Sequence, residues 1–241
     1  MGHRPWTLKT HEPSTMNHQL TIVQTADGSN TIYNPQVGEN YHSKHGALQE
    51  SMHVFVNSGL QYFLDRTGNL KKPVSILEVG FGNGLNFLLS ADRCTDKGIT
   101  LNYTGIEAYP LTKEIIGQTG YHQYVSAELW QQFNAQYPAA LSGEVSISSN
   151  CKLQVANCPL LNFQSTQQYD IIYFDAFAAA YQPEMWNEAA IAHTIQYLKP
   201  GGVFVTYAIT GNLKRAVKAL GCKVEKAPGA AGKREMLRAE R

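Results

Sequence analysis

The stretch PVSILEVGFGNGLNFLLSADRC, residues 73–94, changes rhythm twice within one short segment. It starts as a continuously apolar run interrupted by one acid, Glu78. It then passes through Gly80, Gly82 and Gly84 at alternate positions and continues as LNFLLSADRC, a helical pattern. A buried strand, a glycine turn and a helix form the opening unit of a parallel α/β sheet. Glycines at such a turn let the main chain bend tightly and approach a ligand at the start of the next helix. A dinucleotide cradle of the form G-x-G-x-x-G needs glycine at position 85, where this chain has Leu85. A ligand with an adenosine but no pyrophosphate fits the pattern better.

The same alternation continues downstream. TLNYTGIEAYP reads as a strand and LTKEIIGQ as a helix, followed by the helical AELWQQFNAQYP. VSISSNCKLQVAN supplies strand material and YDIIYFDAF a further strand. PEMWNEAAIAHTIQYL is expected as one helix, LKPGG as a helix stop and turn, and GGVFVTYAI as a strand. NLKRAVKALG and two short strands near 222–227 and 234–239 complete the chain. This order predicts an α/β class, a Rossmann-like, mostly parallel seven-stranded sheet with helices on both faces. HQLTIVQTADGSNTIYNP, residues 18–35, reads as a β-hairpin. GALQESMHVFVNSGLQYFLD, residues 46–65, reads as an amphipathic helix interrupted near Gly59. The expected organisation is a flexible leader at 1–17, a hairpin-plus-helix extension at 18–72 and the α/β domain at 73–241. A second methionine, Met16, leaves open a start later than Met1.

Composition narrows the class further. The 241 residues carry a formal net charge of +1 and 43% hydrophobic residues, enough for a real core. The charge is uneven: residues 211–241 hold nine Lys/Arg against three Asp/Glu, so this segment is strongly basic and the remainder acidic. Such asymmetry suggests a local anionic contact, or simply a solvated surface. No stretch approaches the ~20 apolar residues of a membrane helix, and the N-terminus has no signal-peptide pattern. Cys94, Cys151, Cys158 and Cys222 form no CxxC pair. A cytoplasmic, reduced protein is the expectation. His42, His45 and His53 have no accompanying carboxylate or thiol set at ligand spacing, so no metal is expected.

In parallel sheets ligands bind beyond the C-terminal strand ends. The residues there are the glycine loop, then Glu107, then Asp175. An acid at the end of the second strand can accept hydrogen bonds from both hydroxyls of a ribose. Asp175 ends an apolar strand and leads into small residues, Phe177, Pro183 and Trp186. A carboxylate in that position can orient a nucleophile, and Phe177 and Trp186 can stack on a base. The plainer reading packs Trp186 against the sheet.

Taken together, YHSKHGALQESMHVFVNSGL, EVGFGNGLNF, IEAYPL, DAFAAAYQPEMW with LKPGG, and PGAAGKREMLRA resemble one family of class I S-adenosylmethionine (SAM)-dependent methyltransferases. That family is the methyltransferase domain of the tRNA 5-methylaminomethyl-2-thiouridine biosynthesis protein MnmC. The resemblance implies that Glu78, Gly80, Phe81, Gly82, Gly84 and Asn86 wrap the methionine part of SAM. It implies that Glu107 holds the ribose and that Asp175 lies between cofactor and substrate. Tyr41, Ser43 and Glu50 match a motif near the pocket. Two departures stand out: Ala179 replaces a usual proline, and Ala156-Asn157 replaces a common Gly-Asp, leaving Asn157 for the adenine amine. Phe177, Pro183, Trp186, Lys233 and Arg234 fall on the substrate side, the last two toward the tRNA backbone. The family's FAD oxidase domain has no counterpart here, so a stand-alone methyltransferase is expected.

The implied reaction is N-methylation of 5-aminomethyl-2-thiouridine at the tRNA wobble position. The anticodon stem-loop is the expected partner, and a separate enzyme supplies the aminomethyl group. Asp175 is expected to position the amine, with any proton-acceptor role secondary. The alternatives are a methyltransferase of another RNA or small amine, or a non-catalytic RNA-binding homologue. Aminopropyl transfer would want more acids than DAFAAAY offers, and Leu85 argues against a nicotinamide oxidoreductase.

Overall fold

The computed structural model describes residues 20–68 and 72–241. The expected leader at 1–17 lies outside the described residues. The described residues open with a small antiparallel sheet of β1 (Thr21–Gln24), β2 (Asn30–Asn34) and β3 (Glu39–Asn40). Its β1–β2 hairpin turns through Asp27, whose carboxylate accepts from the Ser29 amide at 2.9 Å and from Ser29 Oγ. A side-chain acceptor two residues before the donor is what makes an Asp-x-Ser segment turn. The same carboxylate accepts from the Gln49 amide and so ties the turn to the helix that follows.

That helix is one rod with three windings: α1 (Ala47–Glu50), a π-helical stretch Ser51–Gln61, and α2 (Tyr62–Thr67). Gly59 does not interrupt it, contrary to the expectation. Glycine is required there because a Cβ would lie 2.8 Å from Tyr173 Cε1 and 3.0 Å from Val205 Cγ2. The rod therefore presses its backbone onto the main sheet at that point.

Among the described residues the main sheet has eight strands, not seven. Its order is β10-β11-β9-β8-β4-β5-β7-β6. The members are β4 (Val74–Val79), β5 (Leu101–Glu107), β6 (Val145–Ser148), β7 (Cys151–Asn157), β8 (Tyr169–Phe174), β9 (Leu198–Thr206), β10 (Lys223–Pro228) and β11 (Glu235–Glu240). The additional strand is β6, an antiparallel edge on β7 made by folding VSISSNCKLQVAN into a tight hairpin. The central five strands pair in parallel, and β11 runs antiparallel between β9 and β10. Helices α3 (Leu85–Asp96), α4 (Lys113–Gly117), α5 (Ala127–Ala140), α6 (Glu188–Ile195) and α7 (Gly211–Ala219) complete the fold.

β4 shows why the sheet is buried on both faces. Val74 and Ile76 join one apolar cluster with Phe87 and Phe133, while Leu77 and Val79 join another with Ile191 and Leu213. The hairpin and rod contribute Ile32, Phe55 and Leu60 to the first cluster. Two local expectations are corrected. LKPGG is already strand, the bulged start of β9, and Gly202 is packed against the Asp170 carbonyl. PEMW is a 3₁₀ turn, not helix, because the Asn187 side chain caps α6 by accepting from the Ala190 amide at 2.8 Å. Among the described residues no helix is long and apolar enough to cross a membrane.

Gly59→Ala tests the close approach of rod and sheet. It is expected to destabilise the protein by ~1–3 kcal/mol, the range of an overpacked core. A thermal melt would show this as a fall of several degrees, and an unchanged melt would refute the contact.

Candidate active site

The chain leaves β4 to build β5 and β7 on one side, then returns to place β8 on the other. β4 is thus the switch point, and the crevice outside its C-terminal end is the expected place for a ligand. The glycine loop lies there. The amides of Gly80 and Phe81 both donate to the Ile106 carbonyl, at 3.0 and 3.1 Å. Gly80 and Gly82 have φ values of +85° and +52°. A Cβ on Gly80 would meet the Asp175 carbonyl at 2.4 Å, and one on Gly82 would meet the Tyr41 ring at 3.0 Å. These glycines make room for neighbouring protein as well as for a ligand.

Two cavities meet at this crevice. The first, of about 260 Å³, is lined by Tyr41, Gly80, Gly82, Glu107, Asp175 and Phe177 from the expected set. Its apolar wall includes Val79, Ile106, Leu160 and Met185, and among the described residues no Lys, Arg or His lines it. The second, of about 410 Å³, shares Tyr41, Asp175 and Phe177 and adds Glu50, Tyr207 and Lys233. Tyr41 and Phe177 stand edge to face at 5.0 Å where the cavities join.

Asp175 belongs to a chain of polar groups. Asn86 Nδ2 donates to Asp175 Oδ2 and to Glu78 Oε1, each at 2.8 Å, and Tyr103 OH donates to Glu78 Oε2 at 2.8 Å. Both carboxyls are pushed upward. The surrounding protein raises Asp175 to about 8, with the nearby Glu50 charge adding to the effect and the Asn86 amide opposing it. Burial, then the Asp175 charge, holds Glu78 well above the ordinary carboxylate range. Glu107 accepts from the amides of Gly82 at 2.9 Å and Tyr109 at 3.0 Å. Burial raises it, against those amide donors.

In the second cavity Glu50, only 5% exposed, accepts from the Ser43 amide and pairs with Lys233 Nζ, both at 2.8 Å. Lys233 Nζ also lies 3.8 Å from the centroid of the Tyr207 ring. Burial raises the Tyr207 phenol, and Asp175 and Glu50 add to that.

Several expected residues stand elsewhere. Glu78 is 1% exposed and lies behind Asp175, outside the wall of either cavity. Phe81 is a core residue among Phe87, Tyr103 and Tyr137. Gly84 abuts Phe133 and begins α3. Asn157 is exposed, because the Cys158 amide bonds back to the Ala156 carbonyl and turns Cys158, Pro159 and Leu160 toward the cavity instead. Pro183 is exposed, and Arg234 is exposed outside both walls. Trp186 is not free to stack: its indole N–H donates to the Phe177 carbonyl at 2.7 Å, and its ring packs on Phe174 and Tyr207. The sequence reading missed Cys158–Leu160 and Tyr207, although each follows a strand and the strand-end rule applies to them equally. His42 is buried and held down to about 4 by that burial.

The first cavity fits an adenosyl donor with a sulfonium centre. Its acids and apolar wall suit a cation with a flat base, and the lack of basic side chains is wrong for a pyrophosphate. Asn86 Oδ1, buried without a partner among the described residues beside a recess of about 20 Å³ at Gly82 and Asp175, is an acceptor that an ammonium group would satisfy. A family model described as S-adenosyl-L-methionine-dependent methyltransferase matches residues 124–241. Residues 124–241 are thus similar to the SAM-dependent methyltransferases. The chain is 31% identical over 216 residues to the tRNA 5-methylaminomethyl-2-thiouridine biosynthesis bifunctional protein MnmC of Cupriavidus necator, covering 85% of this chain and 32% of that protein. It is 28% identical over 230 residues to the protein of the same name from Actinobacillus pleuropneumoniae, covering 89% and 34%. The chain thus spans about a third of the length of these curated relatives. The crystal structure of MnmC2 from Aquifex aeolicus superposes with a TM-score of 0.71 at 22% identity, over 92% of this chain and 70% of that one, which shows the shared fold.

The raised Asp175 carboxyl makes a pH prediction. A carboxyl whose pKa rises from 3.8 to about 8 on folding contributes stability that is complete below pH ~4 and is lost as pH climbs through 8. Asp175→Asn removes that loss. The variant should melt above the wild type at pH 9, by roughly 2–4 °C per kcal/mol gained, with the advantage shrinking toward pH 4. A melting difference independent of pH would refute the assignment.

Proposed function

We propose that this chain N-methylates 5-aminomethyl-2-thiouridine at the wobble position of tRNA, with SAM held in the first cavity and the amine in the second. The observation that carries the reading is the meeting of the two cavities at Asp175. One wall suits a non-phosphorylated adenosyl group, and the other offers the carboxylates of Asp175 and Glu50 to an amine. The names of the curated relatives supply the substrate.

The donor supplies a methyl group on a sulfonium sulfur, which is already a good leaving group. The chain's residues therefore have mainly to align the amine and take its proton. The carbon–nitrogen bond forms as the carbon–sulfur bond breaks, and the amine gives up one proton. A lysine-like amine has a pKa near 10.4, so its neutral form costs ~4–5 kcal/mol at pH 7. Moving its proton to an ordinary aspartate would cost ~9 kcal/mol. With Asp175 raised to about 8, that gap falls to ~3 kcal/mol from the carboxylate form, which at pH 7 itself costs ~1 kcal/mol to reach. Asp175 in this reading both aims the nitrogen lone pair and receives the proton. Asn86, held by Glu78, fixes the carboxylate's orientation. Glu107 takes the ribose hydroxyls, and Tyr41 and Phe177 frame the passage of the methyl group. Neither a metal nor FAD has a part in this scheme. The anticodon stem-loop is the macromolecular partner, and a separate activity supplies the aminomethyl-uridine. The four free thiols support a reducing, cytoplasmic setting.

Incubation with SAM and tRNA bearing 5-aminomethyl-2-thiouridine should add one methyl to that nucleoside by mass spectrometry, and Asp175→Ala should abolish the gain. Asp175→Asn should lower kcat by ~10²–10⁴, the range for a proton-transfer group, with the loss shrinking at high pH. Folded wild-type protein that binds SAM and leaves the nucleoside unchanged would overturn the substrate.

A further inference from the structure

The second cavity is lined by Asp175, Glu39 and the Lys233-paired Glu50, and exposed Lys44 and His45 stand at one edge. Its mouth is formed where two loops touch: the stretch 43–46 and the stretch 229–234. Here Gly232 packs so closely on the His45 ring that a Cβ would lie 2.4 Å from it. Lys44 and His45 line the cavity on one side of that contact and are exposed. Arg234, exposed, follows Lys233 in the chain and lines neither cavity itself. Tyr181 also lines this cavity and is 48% exposed, a large aromatic kept in water. It lies across from the turn at Gly38, where a Cβ would come 3.7 Å from its ring.

The other cations of the basic C-terminal segment divide between engaged ones and the exposed Arg215, Lys218 and Lys223. Lys226 pairs with Glu235, and Arg238 with Glu225. Arg241 donates to the carbonyls of Ile195, Gln196 and Leu198. Lys233, expected from the sequence to hold the RNA backbone, is committed to Glu50 and Tyr207 inside the cavity.

A ligand with a cationic head and anionic flanks matches these charges, and an amine-bearing nucleotide within a polynucleotide has that form. We propose that the mouth of the second cavity is a nucleotide-docking surface, on which Tyr181 stacks a base while Lys44 and Arg234 hold the flanking phosphates. The inference rests on the tRNA reading above and specifies which surface serves it. The target nucleoside must leave its stack to reach Asp175, and an exposed aromatic at the entrance offers a replacement face. The phosphates stay outside, where Lys44 and Arg234 are exposed.

The test compares a fluorescently labelled anticodon stem-loop carrying 5-aminomethyl-2-thiouridine with the free nucleoside. Lys44→Glu combined with Arg234→Glu should lower the RNA-to-nucleoside ratio of kcat/KM at least tenfold. The slope of log affinity against log salt should shrink by about 1.5–2, one phosphate per cation lost. Tyr181→Ala should raise KM for the stem-loop roughly 5- to 150-fold, the range of one stacked base, and Tyr181→Phe should restore it. The same charge reversal at Arg215 and Lys218, exposed on α7, should leave the ratio within twofold. Tight, salt-sensitive RNA binding by wild type that survives Lys44→Glu/Arg234→Glu, or that is lost with the α7 pair, overturns this surface and leaves the substrate standing. Equal competition by polyglutamate overturns the nucleotide assignment. Wild type that methylates the free nucleoside and ignores the stem-loop overturns the tRNA reading itself.

Discussion

The site depends on how closely one loop is drawn onto the sheet. After β4 the main chain turns at once, and two successive amides share the Ile106 carbonyl. The same turn rests on the carbonyl of Asp175. Because β5 and β8 flank β4, this single turn fixes the ends of both neighbours relative to each other. Glu107 comes to one side and Asp175 to the other. A ligand spanning them needs no movement of the sheet to find both.

A second layer keeps the acids in place. Asn86 spends both amide protons on carboxylates, one from Glu78 and one from Asp175. Glu78 looks like a ligand residue from its place in the motif, yet its work is internal. It holds the amide that holds the aspartate, and Tyr103 holds it in turn. The N-terminal hairpin and rod complete the enclosure by bringing Tyr41 over the glycine loop and Glu50 beneath Lys233. The second cavity is therefore lined by residues far apart in the chain.

Much of this was legible in the sequence because it follows from local rules. Buried strands alternating with helices imply the sheet, and strand ends locate Glu107 and Asp175. Other features rest on contacts between distant residues, which a local pattern does not encode. The Trp186 indole is occupied by the Phe177 carbonyl across a loop, so a ring that reads as a stacking platform is a structural strut. Asn157 is turned outward by one backbone bond between its two neighbours. The π-helical winding left a trace, the gap of five between Phe55 and Leu60 in an otherwise helical spacing. That gap reads as a break at Gly59, whereas the backbone widens its turn and continues.

The glycine loop has a consequence for how variation at this motif should be interpreted. A methyl on Gly80 would collide with the Asp175 carbonyl, and one on Gly82 would press on the Tyr41 ring. Both residues also hold backbone angles that side chains resist. Substitutions there would reduce the amount of folded protein before any change in donor affinity became visible. In a population of variants sorted by cellular abundance, these positions would score with the hydrophobic core. Glu107, which lines the cavity and accepts from the Gly82 amide, holds the same loop from the other side.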